Sequence, residues 1–391
     1  MKSRLLALLL SALLFNLAAC GKKDASPAAG GEEVIKIGAI QPLTGPQAHL
    51  GKDNENGTRM AIDDANAAGT TIGGKKVRFE LVSEDDQADP RTATVVAQKL
   101  VDAGVRGIIG HLNSGTTIPA SKIYYDAGIV QISPSATNPK YTEQGFKTAF
   151  RVMPNDVQQG KVLGDYAVTR LGAKKIAIID DRTAYGQGVA DQFEKAAKAA
   201  GAEIVAREFT TDKSTDFMAI LTAVKAKNPD ILFFGGMDAQ GGPMIKQFKS
   251  LGLKAKFLTA DGGSTPEFIK LSGGAAEGAY SSLPGLPLDK MPGGKDFAER
   301  FTAKYGQIQL YAPYCYDAVG VMIAAMQKAG SSDPAKYQSA LAGISYDGVT
   351  AKVSFDQKGD IKDGAITLYQ VKNGKWQVIE TVGGPAAVAA K

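Results

Sequence analysis

Short apolar segments alternate with amphipathic ones through most of this 391-residue chain, and this alternation constrains its fold more than any other feature. From residue 34 the pattern predicts four strands, at 34–40, 77–83, 106–110 and 129–133, with helices between them at 56–68, 90–103 and 116–127. Strands that are separated by helices lie parallel, and helices cover both faces of their sheet. The first part of the chain is therefore predicted to form a doubly wound α/β unit.

The same alternation restarts near residue 156 and predicts a second unit of similar size. Its strands are expected at 175–180, 203–209, 231–236 and 256–261, and its helices at 156–170, 189–200 and 217–227. A Pro- and Gly-rich stretch at 283–294 precedes mostly helical sequence to residue 342 and strand-like segments at 350–355 and 366–371. We expect an α/β protein of two doubly wound lobes with a ligand cleft between them, because ligands of open parallel sheets bind beyond the carboxyl ends of the strands.

The amino terminus has the pattern of a secretion signal. Lys2 and Arg4 precede an apolar run at 5–14, and two alanines come just before Cys20. The run is too short to span a bilayer comfortably, so residues 1–19 are predicted to be a signal peptide that is removed.

Cys20 is the predicted site of a lipid anchor. Residues 17–20 (LAAC) resemble a bacterial lipobox, in which the cysteine thiol is lipidated and the leader is cut just before it. Residues 20–33 would then be the lipidated Cys and a flexible tether, because they are rich in Gly, Ala, Pro and charge. Ordinary cleavage near Ala19 is the alternative. The protein is thus expected in the periplasm or at the cell surface, anchored to a bacterial membrane, with Cys315 left alone and no intrachain disulfide.

Composition argues against nucleic acid, metals and cofactors as partners. The 45 Lys and Arg residues are interspersed with 40 Asp and Glu residues, and the longest basic runs are pairs. Only two histidines occur, no metal-ligand spacing is present and there is no phosphate-binding Gly-Lys-Ser/Thr loop. We expect His111, at a strand end, to be structural, and His49 to lie in a loop on the rim of the cleft. The protein is predicted not to be an enzyme.

Hydroxyl side chains follow two consecutive predicted strands of the first unit. Ser114 opens the helix after one strand as its expected N-cap, and Ser135 and Thr137 follow the next strand. If these strands are neighbours, the hydroxyls and the free amides of the first helical turn converge on a site that suits a carboxylate. Simple capping and turn formation is the alternative for each loop.

Acidic side chains occupy the corresponding positions of the second unit. Asp180 and Asp181 end one strand, and Asp261 ends another within a tight Asp-Gly-Gly turn. A carboxylate in a cleft can pair with a ligand ammonium, whereas an Asp before Gly is by itself a common turn residue. Hydroxyl donors on one lobe and a carboxylate on the other would together match an α-amino acid zwitterion.

These motifs make the chain resemble the periplasmic leucine/isoleucine/valine-binding proteins, type I solute-binding proteins that serve ATP-driven ABC transporters. The matching segments are 37–38, 43–46, 85–90, 110–114, 133–137, 185–188, 235–236, 276–278 and 358–360. The resemblance covers roughly residues 34–378, and it rests on the order and spacing of the segments.

The resemblance implies a role for each site residue. Ser114 and Thr137 would hold the ligand carboxylate, and Ala136 would line the same loop. Ser135 would offer its backbone carbonyl, and Asp261 its side chain, to the ammonium. Tyr185 would line the cleft from the second lobe. Leu50 and Met237 stand where relatives often have aromatic residues, so an apolar but adaptable side-chain pocket is expected.

The resemblance also implies three hinge crossings, near residues 154–156, 281–285 and 348–353. Lobe 1 would comprise residues 34–155 plus 285–350, and lobe 2 residues 156–284 plus 351–383. The expected partners are an amino acid, an ABC permease with its ATPase subunits, and a membrane through the lipid anchor. We expect a monomer.

The expected function is capture of a branched-chain or similar apolar amino acid by cleft closure, followed by delivery to the permease. The same fold could instead bind an amide, urea or an aromatic acid for uptake or sensing, because a fold does not fix its ligand.

Overall fold

The computed structural model describes residues 32–384, so the predicted signal peptide, Cys20 and most of the tether lie outside the described residues. Within this range the chain forms two large, mostly parallel sheets with helices packed on them. The predicted α/β class with two lobes is confirmed. No helix in this part of the chain is both long and apolar enough to cross a membrane.

The first sheet has six strands in the order β2-β3-β1-β4-β5-β6, and all but β2 are parallel. The strands are β1 (Glu33–Gln41), β2 (Thr71–Ile72), β3 (Lys75–Asp85), β4 (Ile108–Gly110), β5 (Gln131–Ser133) and β6 (Ala149–Arg151). The helices between them are α1 (Ala48–Ala67), α2 (Pro90–Asp102), α3 (Ser114–Asp126) and α4 (Lys140–Glu143).

The second sheet has seven strands in the order β15-β14-β11-β10-β9-β7-β8, and β14 runs antiparallel to both of its neighbours, β11 and β15. Its strands are β7 (Lys175–Asp180), β8 (Glu203–Phe209), β9 (Ile231–Gly235), β10 (Lys256–Thr259), β11 (Tyr280–Pro284), β14 (Ala365–Lys372) and β15 (Lys375–Gly383). Its helices are α5 (Asp156–Thr169), α6 (Ala184–Ala199), α7 (Met218–Ala226), α8 (Asp238–Ser250) and α9 (Pro266–Ser272).

Three later helices, α10 (Gly294–Tyr305), α11 (Ala312–Ala329) and α12 (Pro334–Ala342), return to the first lobe. α11 packs on α1, and the buried Asp53 of α1 accepts hydrogen bonds of 2.8–3.0 Å from four backbone amides at residues 309–312. Burial raises the pKa of Asp53, and these amides counteract that rise. The carboxylate thus fixes the start of α11, and with it Tyr311, against the first lobe.

Two helices begin earlier than their sequence pattern predicts. α1 starts at Ala48 instead of residue 56, so His49 lies in a helix and not in a loop, and α6 starts at Ala184 instead of residue 189. Glycines hide both starts. A Cβ on Gly51 would lie 2.0 Å from the Pro42 carbonyl oxygen, so these glycines serve close backbone contact and do not mark loops.

Several elements have no counterpart in the prediction. They are β2, β6, β11, β12 (Tyr346–Asp347), β15, α4, α8 and α9. The short strands carry too few residues for a period to be visible, and α8 contains Gly241, Gly242 and Pro243, which disguise its helical pattern.

We propose that the third crossing between the lobes falls later than residues 348–353. β13 (Lys352–Val353) pairs with β12, and the Asp360 carboxylate accepts hydrogen bonds from the Arg151 guanidinium at 2.6 and 2.9 Å. These contacts keep residues 351–361 beside the first sheet, whereas β14 pairs with β11 in the second. We therefore propose that lobe 1 comprises residues 34–155 plus 285–361 and that lobe 2 comprises 156–284 plus 365–383.

Candidate functional site

The loops after β4 and β5 form one wall of a cleft, as the sequence predicts. The Ser135 hydroxyl donates to the Leu112 carbonyl at 3.1 Å, and the Asn138 amide donates to Ser114 Oγ at 3.2 Å. Both loops follow neighbouring parallel strands, so the same sheet edge brings them together. The wall carries hydroxyl and amide groups and no charged side chain from these two loops.

The cap of α3 is Asn113 and not Ser114, which is the first residue of the helix. The Asn113 side chain makes no cap bond, because its Nδ2 donates to Gln47 Oε1 at 2.7 Å. The amides of Ser114 and Gly115 remain in the first turn, where they have no partner within the helix.

The second wall is built around Asp261, which follows β10. Its two carboxylate oxygens accept hydrogen bonds of 2.7 Å from two phenols: Tyr185 in the first turn of α6, and Tyr311 before α11. The Gly262 amide donates to the Tyr185 hydroxyl at 2.8 Å. Because Tyr311 is fixed to the first lobe by Asp53, Asp261 is held from both sides of the cleft.

Burial dominates the electrostatics of this wall. Asp261 is 1% exposed, and burial raises its pKa while bonds from Tyr311, Tyr185 and Gln159 counteract the rise. Burial also raises the pKa of both phenols well above the ordinary value, so they act as neutral donors. At the first crossing, burial and the nearby charge of Asp261 raise the pKa of Asp156 to about 8. Negative charge in the cleft is therefore poorly compensated, which favours a cationic ligand group.

The two walls enclose a small inner cavity of about 10 Å³. Its lining consists of Leu112, Asn113, Ser114, Ser135, Tyr185, Met237, Asp261 and Tyr311. Room for about one water is too little for an amino acid, so side chains or lobes must move before one fits.

Five of the predicted ligand residues line this cavity, and three do not. Ala136, Thr137 and Leu50 are buried and do not line it, and Leu50 belongs to the same apolar cluster as Leu112 and Met237. The sequence reasoning assigned no role to Leu112, Asn113 or Tyr311. Leu112 and Asn113 are next to Ser114 in the sequence, so this position indicates that they also line the cleft. No sequence signal indicates a role for Tyr311, because it is brought to Asp261 only by the hydrogen bonds of Asp53 at the start of α11.

Hydrogen bonds join the two walls outside the cavity. His49 Nε2 lies 2.8 Å from the buried Asp238 Oδ2, and Asn138 Nδ2 donates to the Ala184 carbonyl at 2.6 Å. Burial alone would lower the pKa of His49, but Asp238 raises it above the ordinary value. These contacts hold the lobes in a closed arrangement.

His111 and a larger cavity at the edge of the first sheet are separate from the inner cavity. His111 is fully buried between Asp86 at 2.7 Å and the Tyr124 hydroxyl at 3.0 Å, which fits a structural residue. Within residues 32–384 no three metal-ligating side chains are grouped so that they could hold an ion. A larger cavity of about 1040 Å³ lies at the β6 edge of the first sheet and shares no residue with the cleft.

Known proteins resemble this chain over most of its length. An amino acid binding protein of Pseudomonas aeruginosa is 37% identical over 339 residues, which is 86% of this chain and 90% of the relative. A leucine-, isoleucine-, valine-, threonine-, and alanine-binding protein of the same organism is 34% identical over 362 residues, or 92% and 95% of the two chains.

A solved structure and a family model agree with these relatives. The branched-chain amino acid substrate-binding protein LivJ of Streptococcus pneumoniae, in complex with isoleucine, superposes with a TM-score of 0.82 at 29% identity, covering 90% of this chain and 100% of LivJ. The sequence model of the periplasmic binding protein family matches residues 34–375. The chain therefore belongs to the periplasmic binding protein family, and within it resembles the leucine/isoleucine/valine-binding proteins that its motifs indicate.

Proposed function

We propose that this protein is an extracytoplasmic binding protein that captures a branched-chain or similar apolar α-amino acid and delivers it to an ABC permease. The single observation that carries the proposal is the buried Asp261 carboxylate, which faces neutral hydroxyl and amide groups across the cleft. An α-amino acid carries its ammonium and its carboxylate on the same carbon atom, and these two walls offer one partner to each.

The ammonium end is assigned to Asp261. Two phenol donors already satisfy this carboxylate, and an ammonium can replace or join them with charge-assisted hydrogen bonds, which are roughly twice as strong as neutral ones. A ligand cation would also relieve the cost of the buried negative charge.

The carboxylate end is assigned to the first wall. Ser114 and Ser135 line the inner cavity. The free amides of the first turn of α3 form the positive end of the helix dipole, which favours a negatively charged ligand group. Thr137 and Ala136 are buried and do not line the inner cavity, so we expect them to reach a ligand only after the loops adjust.

Apolar side chains complete the site. Leu112 and Met237 line the inner cavity, and Leu50 belongs to the same apolar cluster. A short aliphatic side chain would pack on these groups, and the flexible Met237 can adapt to its shape.

Closure would convert binding into a signal for the permease. Neither wall satisfies both ends of a zwitterion, so the ligand favours the closed form, as a population shift requires. Anchoring through Cys20, delivery to the permease with its ATPase subunits, and a monomeric state belong to the same proposal. The leader sequence supports the anchor, and the similarity to LivJ, a transporter substrate-binding protein, supports delivery. No part of it requires catalysis.

Isothermal titration of the mature protein with each of the twenty amino acids tests the proposal. We expect binding of leucine, isoleucine or valine, and silence toward all twenty would contradict it. Uptake of an amide, urea or an aromatic acid is the competing function. Binding of benzoate with an affinity that Asp261→Ala leaves unchanged would favour that alternative, because such a ligand has no ammonium.

A further inference from the structure

A second cavity, which we call the outer chamber, adjoins the inner cavity. It measures about 420 Å³ and shares Asn113, Tyr185 and Met237 with the inner cavity. Ligand pockets in proteins typically begin at about 300 Å³. A ligand whose head group is held at Asp261 can therefore extend a longer side chain into the outer chamber.

One wall of the outer chamber is acidic. Asp181 is 2% exposed, and its Oδ1 accepts from the Thr183 amide at 2.9 Å and from the Thr183 hydroxyl at 2.6 Å. Its Oδ2 is buried and has no hydrogen-bond partner among the described residues. Asp212, on an exposed loop, lines the same chamber.

The charge of Asp181 is costly where it lies. Burial raises the pKa of Asp181 to about 6, and the charges of Asp212 and Asp180 add to the rise. The group is therefore mostly ionised at neutral pH while one of its oxygens lacks a donor. A buried acceptor in this condition favours a ligand that supplies an N–H group.

Arg182 lines the outer chamber, and its positive charge already has other partners. The Arg182 guanidinium lies over the Phe209 ring, 4.0 Å from its centroid, and 3.9 Å from Asp180. Pro90, Ala184 and Met237 contribute apolar surface between the inner cavity and the acidic wall. Apolar surface next to carboxylates that have no ion-pair partner among the described residues suits a ligand side chain with a methylene stem and a cationic end.

We propose that the cleft also takes α-amino acids whose side chain is a methylene stem ending in an N–H cation, the class of lysine and ornithine, with the cation against Asp181 and Asp212. This inference rests on the proposed function, because the ammonium and carboxylate of the head group stay at Asp261 and the first wall. It extends the ligand range beyond apolar side chains.

Lysine and norleucine provide the test, because they share the stem and differ by the terminal amine. Titration calorimetry on the whole mature protein at pH 7.5 should give lysine a dissociation constant about tenfold lower than norleucine. Asp181→Asn keeps the acceptor for Thr183, Asp212→Asn changes an exposed side chain, and each should bring the ratio of the two constants toward one. Asp216→Asn, an exposed carboxylate four residues farther along the same loop, should leave the ratio unchanged.

The ratio separates the possible failures. A variant that folds poorly weakens the binding of both ligands equally and leaves the ratio of their dissociation constants unchanged. Weaker binding of lysine than of norleucine by the unmodified protein, or a ratio that neither Asp181→Asn nor Asp212→Asn changes, overturns the inference while the proposed function stands. Silence toward leucine, norleucine and lysine alike overturns the proposed function as well.

Discussion

The two walls of the cleft solve opposite problems with different chemistry. The first wall offers the hydroxyls of Ser114 and Ser135 and backbone amides at the start of a helix, and the two loops that form it contribute no charge. The second wall offers the buried carboxylate of Asp261, which two phenols stabilise. The difference shows why the lobes must meet: an α-amino acid has one partner on each wall, and neither lobe alone satisfies both of its ends.

Removing the charge of the second wall should have the largest effect. Asp261→Ala leaves the ligand ammonium without a counter-charge in a buried site, so we expect amino acid affinity to fall about 100-fold or more, by roughly 3 kcal/mol. Titration calorimetry with leucine measures the loss. Asp230→Asn, at an exposed turn of the same lobe, is the control. A loss of less than about fivefold would remove Asp261 from the site.

Removing hydroxyls from the first wall should weaken binding less, because neutral donors contribute less than a charge. Ser114→Ala and the isosteric Thr137→Val should each raise the dissociation constant for leucine about tenfold or less. The comparison between them sharpens the site: Ser114 lines the inner cavity, whereas Thr137 is buried and does not line it. An effect of Thr137→Val with none from Ser114→Ala would mean that the loop rearranges around the ligand.

The sequence predicted the parts of each wall that depend on strand ends. Ser114, Ser135, Tyr185, Met237 and Asp261 all follow parallel strands, and a parallel sheet places such positions at one edge.

The contribution of Tyr311 was not predictable from its surroundings in sequence. Its position depends on Asp53 in α1, whose carboxylate accepts a hydrogen bond from the Leu310 amide, 257 residues later in the chain. Leu50, which the resemblance places in the side-chain pocket, is fully buried on α1 and does not line the inner cavity.

Contacts between the walls outside the cavity should contribute modestly to affinity. Asn138 Nδ2 donates to the Ala184 carbonyl of the opposite lobe, so Asn138→Ala should favour the open form and weaken leucine binding about fivefold. The same variant should speed ligand dissociation in stopped-flow fluorescence. Unchanged affinity and dissociation rate would show that this bond forms equally well in the open state.

The smallest effect is expected from His49, and it should depend on pH. Burial lowers the pKa of His49, but the hydrogen bond and charge of Asp238, together with the charges of Glu267 and Asp53, raise it above the ordinary value of 6.5 in the closed form. Closure therefore favours the protonated ring. The extra affinity is fully present below pH 6.5 and is lost as the pH rises through the pKa of the closed form.

His49→Gln isolates this contribution, because the amide cannot titrate between pH 5.5 and 8.5. We expect about a threefold advantage of the unmodified protein at the acidic end that disappears at the basic end. Titrations with leucine at several pH values measure it. An advantage that grows with pH would reverse the sign of the predicted coupling.

The claim that each wall binds one end of an α-amino acid is tested most directly with ligand analogues that each lack one of the two charged groups. Titration calorimetry compares leucine with isopentylamine, which lacks the carboxylate, and with 4-methylpentanoate, which lacks the ammonium. Both analogues should bind at least about 100-fold more weakly than leucine, because each leaves one wall without its partner. Binding of either analogue within about threefold of leucine would contradict the division of the site between the two walls.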